Sequence, residues 1–153
     1  MFPKIVDGNR QTTSSEIESF QRKRHLQLPQ TYLQFLLATN GGVPHVTVFP
    51  ITGMPLNPTG SVQTFLGIGC REPTDDLAYA YDLYAAGFPH GIVPIAHSGS
   101  GDLICLDLRR DSNRVAYWDK AHFWSTGEWR ESDLYHIADS FEKFVAGLTP
   151  DPY

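Results

Sequence analysis

Residues 92–119 read IVPIAHSGSGDLICLDLRRDSNRVAYWD, and this stretch decides the fold. Three largely apolar runs, Ile92 to His97, Asp102 to Arg109 and Arg114 to Asp119, are separated by two short polar turns. Those turns, Gly99-Ser100-Gly101 and Arg110 to Asn113, are built from residues that tolerate tight-turn backbone angles. Connections this short join antiparallel neighbours, because a parallel pair needs a long crossover. The stretch therefore predicts a three-stranded antiparallel meander. Leu103-Ile104-Cys105-Leu106 lacks the alternation of a strand with one wet face. That strand is expected to be central and covered on both sides.

Upstream, Thr13-Ser14-Ser15-Glu16 has the pattern of a capping box and opens a helix to about Arg24, with Ile17 and Phe20 inward. A second helix begins near Pro29, which suits a first helical position. Tyr32, Phe35, Leu36 and Thr39 then follow at helical spacing, and Asn40-Gly41-Gly42 ends the helix. Val46 to Phe49 and Val62 to Leu66 read as strands, separated by a loop from Thr52 to Gly60. Thr74-Asp75-Asp76 starts a third helix through about Ala86, stopped by Gly87 and Pro89. Downstream, Asp139-Ser140-Phe141-Glu142 reads as a second capping box. Phe141, Phe144, Val145 and Leu148 form the inner stripe of the helix that follows. The first 12 residues are polar and expected to be loose. The elements sum to a two-layer α+β domain, a mainly antiparallel twisted sheet flanked by N- and C-terminal helices, as one domain over residues 1–153.

The 153 residues suit one domain, which at this size buries roughly 70% of its unfolded surface without disulfide or metal staples. Formal net charge is −5, and it is uneven: residues 41–153 hold 14 of the 17 acids and only 7 of the 12 bases. Acidic excess repels phosphate backbones, so direct nucleic-acid binding is not expected, whereas a basic protein partner is compatible. The sequence opens without the apolar core of a signal peptide, and no run is long enough to span a bilayer. A cytoplasmic location away from membranes is the expectation. Cys70 and Cys105 have no zinc-ligand spacing, and Cys105 reads as a small buried hydrophobe. Asn57-Pro58-Thr59 is no glycosylation site, because proline holds the middle position.

Four pieces in order resemble the SUKH superfamily, the SMI/KNR-type proteins. They are Leu28-Pro29…Tyr32…Phe35-Leu36…Asn40-Gly41-Gly42, then Gly101-Asp102…Leu106-Asp107, then Val115…Trp118-Asp119, and Ser140-Phe141…Phe144…Leu148. Together they span about residues 14–148; the N-terminal helix lacks the aromatic or glycine signature expected there. The resemblance implies a compact α+β fold with helices flanking a sheet. It also implies a binding role: many bacterial relatives look like immunity proteins that neutralise toxin domains, and fungal relatives are tied to cell-wall synthesis and its signalling. It implies no shared catalytic site, so no catalytic residue is carried over and the chain is expected to be no enzyme.

The chemistry-bearing residues fit that expectation. His97-Ser98-Gly99-Ser100-Gly101-Asp102 holds nucleophile, base and acid types, but Ala96 stands where a nucleophile elbow needs glycine. A small hydrolase using His97, Asp102 and Asp107 is the enzymatic alternative. Scattered His97, His122 and His136 have no metal-ligand spacing. Gly67-Ile68-Gly69 lacks the third glycine of a dinucleotide loop, Glu72 standing there, so no metal or cofactor is expected. Asp75 and Asp76 suit a helix start. Trp124 and Trp129 lie among Asp119, Glu128 and Glu131 and either roof the core beside the last helix or anchor a partner inside a polar rim. Asp75, Asp76, Asp119, Trp124, Glu128, Trp129 and Glu131 are thus the candidate partner-binding residues. The partner implied is a basic toxin domain, a nuclease being one such class, with an endogenous regulatory scaffold as the alternative role.

Overall fold

A computed structural model describes residues 2–54 and 58–152, so the reading at Asn57 lies outside the described residues. The chain runs β1 (Ile5–Asp7), α1 (Ser14–Arg24), α2 (Gln30–Thr39), β2 (Val43–Pro44), β3 (Val48–Pro50), β4 (Thr59–Phe65) and α3 (Leu77–Tyr84). It continues through β5 (Ile92–Ser98), β6 (Leu103–Asp107), β7 (Arg114–Trp118), α4 (Ala121–Thr126), β8 (Leu134–Ala138) and α5 (Phe141–Ala146). Strands β3 to β8 form a six-stranded sheet in chain order, each neighbour antiparallel. The domain is α+β, and the meander read from residues 92–119 is its centre.

Strand β6 is buried along its whole length. Ile104 and Leu106 join the larger core with α1, α2 and α5, while Leu103 and Cys105 join a smaller core on the other face. This double burial is why the run does not alternate. In the larger core Phe35 meets Phe65 with ring centroids 4.9 Å apart, Tyr32 meets Phe141 at 5.0 Å and Phe49 meets Phe144 at 5.5 Å. Pro94 lies inside β5, where a proline would break the ladder; the register shifts between Pro94 and Ala96, and this bulge accommodates it. The outer edge of β3 is closed by Thr149, whose carbonyl accepts from Thr47 and Val48.

Helix starts differ from the sequence reading by small, explicable steps. Thr13 caps α1 as expected, its Oγ1 accepting from Glu16 N at 3.2 Å. The Glu16 carboxylate, however, reaches Arg10 at 2.7 Å instead of the cap amide. Pro29 occupies the cap position of α2, so the helix starts one residue later than expected. At the third helix, Pro73–Asp75 forms a 3-10 turn, and Asp76 caps α3 proper. Ser140, not Asp139, caps α5. Asp139 lies instead near His136 and Lys143.

The N-terminal stretch is not loose. Strands β1 and β2 pair as a ribbon, and Asn40 ties the following residues down. Asn40 is fully buried with a left-handed backbone, φ 49°. Its Nδ2 donates to the carbonyls of Arg10 (2.8 Å) and Ile68 (2.9 Å), and its Oδ1 accepts from Ile68 N (2.8 Å). Asn9 Nδ2 donates to the Asn40 carbonyl at 2.8 Å. The glycines that follow serve close approach as well as the turn: a Cβ on Gly41 would sit 2.4 Å from the Leu66 carbonyl oxygen. Asn40-Gly41-Gly42 is therefore a junction between the N-terminal ribbon, α2 and the exit of β4.

Candidate protein-binding surface

The smaller core lies on the sheet face away from α1, α2 and α5, and Trp118 of β7 is its fully buried floor. Phe88 packs edge-on to Trp118 at 4.7 Å, Phe123 at 5.5 Å and Tyr84 at 5.5 Å, while Trp129 stacks on it at 6.3 Å. The end of α3, helix α4 and the loop after it thus converge over one indole. Trp129 does roof a core, but this one, not the core beside α5.

Helix α4 exists because both ends are held. Asp119 Oδ1 accepts from Ala121 N at 3.0 Å, and Gly127, at φ 73°, closes the last turn. Phe123 turns inward, so Trp124, rotated by one helical step, turns outward and is 64% exposed. The Lys120 ammonium lies 5.2 Å from its ring centroid. Across from it on α3, Tyr79 and Leu83 are 48% and 57% exposed and share one stripe at four-residue spacing. A notch of about 260 Å³ opens between Leu83, Tyr84, Phe123 and Trp124. Tyr79 and Leu83 escaped the sequence reading, although a signal existed. Leu77, Ala80, Tyr81 and Tyr84 fill the inner stripe of α3, which leaves those two off it.

The structure gathers Asp119, Trp124, Glu128 and Trp129 around α4, whereas Glu131 is drawn to Arg109 beside Asp107. Asp75 and Asp76 stand at the far end of α3, roughly 12 Å along its axis from Tyr84. Their charges are unequally available. Asp76 accepts from the amides of Gly69, Cys70 and Tyr79 at 2.7, 3.1 and 3.1 Å. Glu131 forms a two-pronged pair with Arg109 at 2.8 and 3.0 Å, which holds its carboxyl below the ordinary range. Glu128 is exposed, 3.9 Å from His122.

The three residues of the hydrolase alternative are each committed elsewhere. His97 Nε2 lies 2.6 Å from the Thr74 carbonyl oxygen. Asp102 accepts from Tyr117 OH at 2.5 Å and Lys120 N at 3.1 Å. Asp107, at the opposite end of β6 and roughly 17 Å along the strand from Asp102, accepts from Arg109 Nε (2.9 Å) and Arg114 Nε (3.0 Å). Burial alone would push the Asp107 carboxyl up; the hydrogen bonds from Arg109 and Arg114 outweigh it and hold it down. His122 and His136 stand on separate elements, His136 being 3.2 Å from Asp139.

With this geometry in hand, comparison with known families is informative: a model described as the SMI1/KNR4 family (SUKH-1) matches residues 11–147. The chain belongs to this family. Domains of the SUKH family are generally of the immunity type and bind proteins. A relative is the SPbeta prophage-derived uncharacterized protein YokK of Bacillus subtilis (strain 168), 37% identical over 84 residues. That match covers 55% of this chain and 40% of YokK, so it spans less than half of the relative's length. No helix among the described residues is long and apolar enough to cross a membrane.

Within this SUKH-1 domain, the motif pieces build the frame. Leu28, Tyr32, Phe35 and Leu36 are buried, Gly101 turns at φ 92°, Trp118 is a core floor, and Ser140 caps α5. Trp124 and Glu128 lie outside those pieces, on the surface that the frame displays.

Proposed function

We propose that this SUKH-1 domain is an immunity-type protein that acts in the cytoplasm, binding and neutralising a toxin domain with a basic face. Family membership over residues 11–147 carries the reading. The surface around α3 and α4 supports a location for it. Trp124 projects beside an apolar notch, and buried aromatic anchors of this kind dominate binding energy at protein interfaces. Asp119 and Glu128 supply a rim without a Lys or Arg partner among the described ion pairs, while Asp75 and Asp76 add negative potential from the far end of α3. A net charge of −5 would steer a basic partner toward it.

Replacing Trp124 by alanine is expected to weaken partner binding by about 30- to 1000-fold, as for an interface anchor. Stability should change by less than about 0.5 kcal/mol, because the side chain is mostly exposed. Raising salt should slow association by roughly tenfold or more if steering operates. The decisive experiment is co-expression with candidate toxin domains, scored by cell survival, followed by affinity measurement on the rescued pair. Rescue that is lost in Trp124→Ala supports both the role and the surface. Rescue that survives it moves the surface elsewhere. If the immobilised protein instead retains endogenous wall-synthesis or signalling proteins stoichiometrically, the scaffold role replaces the immunity role.

A further inference from the structure

The turn between β5 and β6 carries a chain of hydroxyls whose hydrogens all run one way. Tyr117 OH donates to Asp102 Oδ2 at 2.5 Å. A phenol has one hydrogen, so in the 2.6 Å contact between Ser100 Oγ and Tyr117 OH the serine is the donor. Ser100 has then spent its hydrogen as well, so the 2.9 Å contact with Ser98 Oγ is donated by Ser98. Ser98 Oγ in turn accepts from Asp102 N at 3.1 Å. Ser98 and Tyr117 are 1% and 4% exposed; Ser100 is exposed and also lies 3.4 Å from Asp102 Oδ2, so the order is set by the shorter contacts.

This order determines what the neighbouring cavity offers a visitor. About 490 Å³ opens against Ser100 and Tyr117, lined also by Val48, Ile51, Ser61 and Asp151. Ser100 presents a remaining lone pair, and donation toward a carboxylate makes that oxygen a stronger acceptor. Asp102 stands one hydroxyl behind the wall, and no described ion pair places a Lys, Arg or His on it within 4.0 Å. Lys120, the base nearest in sequence, gives Asp102 its backbone amide and holds its ammonium between the Trp124 ring and Gly101, outside ion-pair distance of the carboxylate. Apolar walls, an aromatic ring, outward acceptors and negative charge behind them suit a cation on an alkyl stem.

We infer that this cavity binds an alkylguanidinium or alkylammonium group, the chemistry of an arginine or lysine side chain. The inference deepens the reading of a basic protein partner, for which the cavity would be a second anchor point beside the Trp124 surface. The same chemistry also occurs in free amino acids and polyamines.

The test titrates the full chain with N-acetyl-argininamide and with its neutral near-isostere N-acetyl-citrullinamide, following backbone amide NMR shifts. Saturable shifts at Ser100, Tyr117 and Ile51, at least tenfold tighter for the arginine compound, are expected. Asp102→Asn should abolish them. Because that change disturbs the hairpin, Ser100→Ala, with an unaltered circular dichroism spectrum, is the second variant and should weaken binding at least threefold. Equal binding of the two compounds, shifts elsewhere or no saturation overturns the inference. Arginine-containing tripeptides binding more tightly than free arginine or spermidine assign the site to a partner's side chain; the reverse assigns it to a free cation. Cation binding with no toxin rescue leaves the cavity standing and removes the immunity role, and rescue without cation binding does the opposite.

Discussion

Asn40→Ala is expected to cost about 4 kcal/mol of folding stability, a large part of the roughly 5–15 kcal/mol that holds a domain together. The side chain makes three hydrogen bonds, to Arg10 O, Ile68 O and Ile68 N. Removing it strands polar groups of Ile68, which is 8% exposed, and each buried unpaired group costs about 1–3 kcal/mol. Alanine is also strained by about 1 kcal/mol in the left-handed backbone that Asn40 adopts at φ 49°. Asn40→Gly separates the two effects, since it loses the same bonds without the strain and should be about 1 kcal/mol milder. Urea unfolding checks both. A loss below about 1 kcal/mol in each would mean that the N-terminal ribbon and the exit of β4 are held by something other than this amide.

Asp107→Ala is expected to cost about 3 kcal/mol, although the carboxylate is not part of any assembled catalytic group. Its side chain is 6% exposed and carries Arg109 and Arg114, themselves only 18% and 23% exposed. Deleting one member of such a cluster leaves charges uncompensated, which costs about 3–5 kcal/mol when burial is complete and less as water reaches the arginines. Arg109 also holds Glu131, so the change should loosen the segment before β8 and show as faster amide exchange there. The same cluster sets an acid limit. Asp107 and Glu131 both have folded pKa values below their ordinary ones. Their contribution is therefore fully present above the unfolded values, about 3.9 and 4.3, and is lost as pH falls through the lower folded values. Unfolding free energy measured from pH 6 to pH 2 should drop in that window, and less steeply in Asp107→Ala. An unchanged slope would place the acid sensitivity in other carboxylates.

Both residues belong to motif pieces that resemble the SUKH pattern, yet neither role was visible in the motif. Asn40 read as a helix stop; its side chain is the hub of a junction between segments about 30 residues apart in the chain on either side. Asp107 reads from the sequence as a motif residue and a member of the hydrolase alternative; it is the anion that two arginines share. A short segment shows which backbone shapes a residue tolerates, but not which distant carbonyl its side chain will meet.

Local physics carried what could be read from the chain alone. Periodicity, cap residues and turn chemistry located α1, α2, α5 and the three central strands, because each of those elements has its own stripe or stop within a few residues. The unbroken apolar run of β6 foretold burial on both faces, since only a strand covered twice can afford no polar side. Composition and motif order together pointed to an α+β domain of the SUKH type. Tertiary structure alone decided the rest. Strands β1 and β2 have three and two residues and exist by pairing with each other, and β8 exists by pairing with β7, so no local pattern announces them. Helix α4 is a single short segment whose inward side is defined by the rings of Trp118, Phe88 and Tyr84 beneath Phe123. Whether Trp124 or Trp129 faced water was likewise undecidable locally: the two indoles are five residues apart with a glycine turn between them, and only the packing over Trp118 sends one inward and the other out.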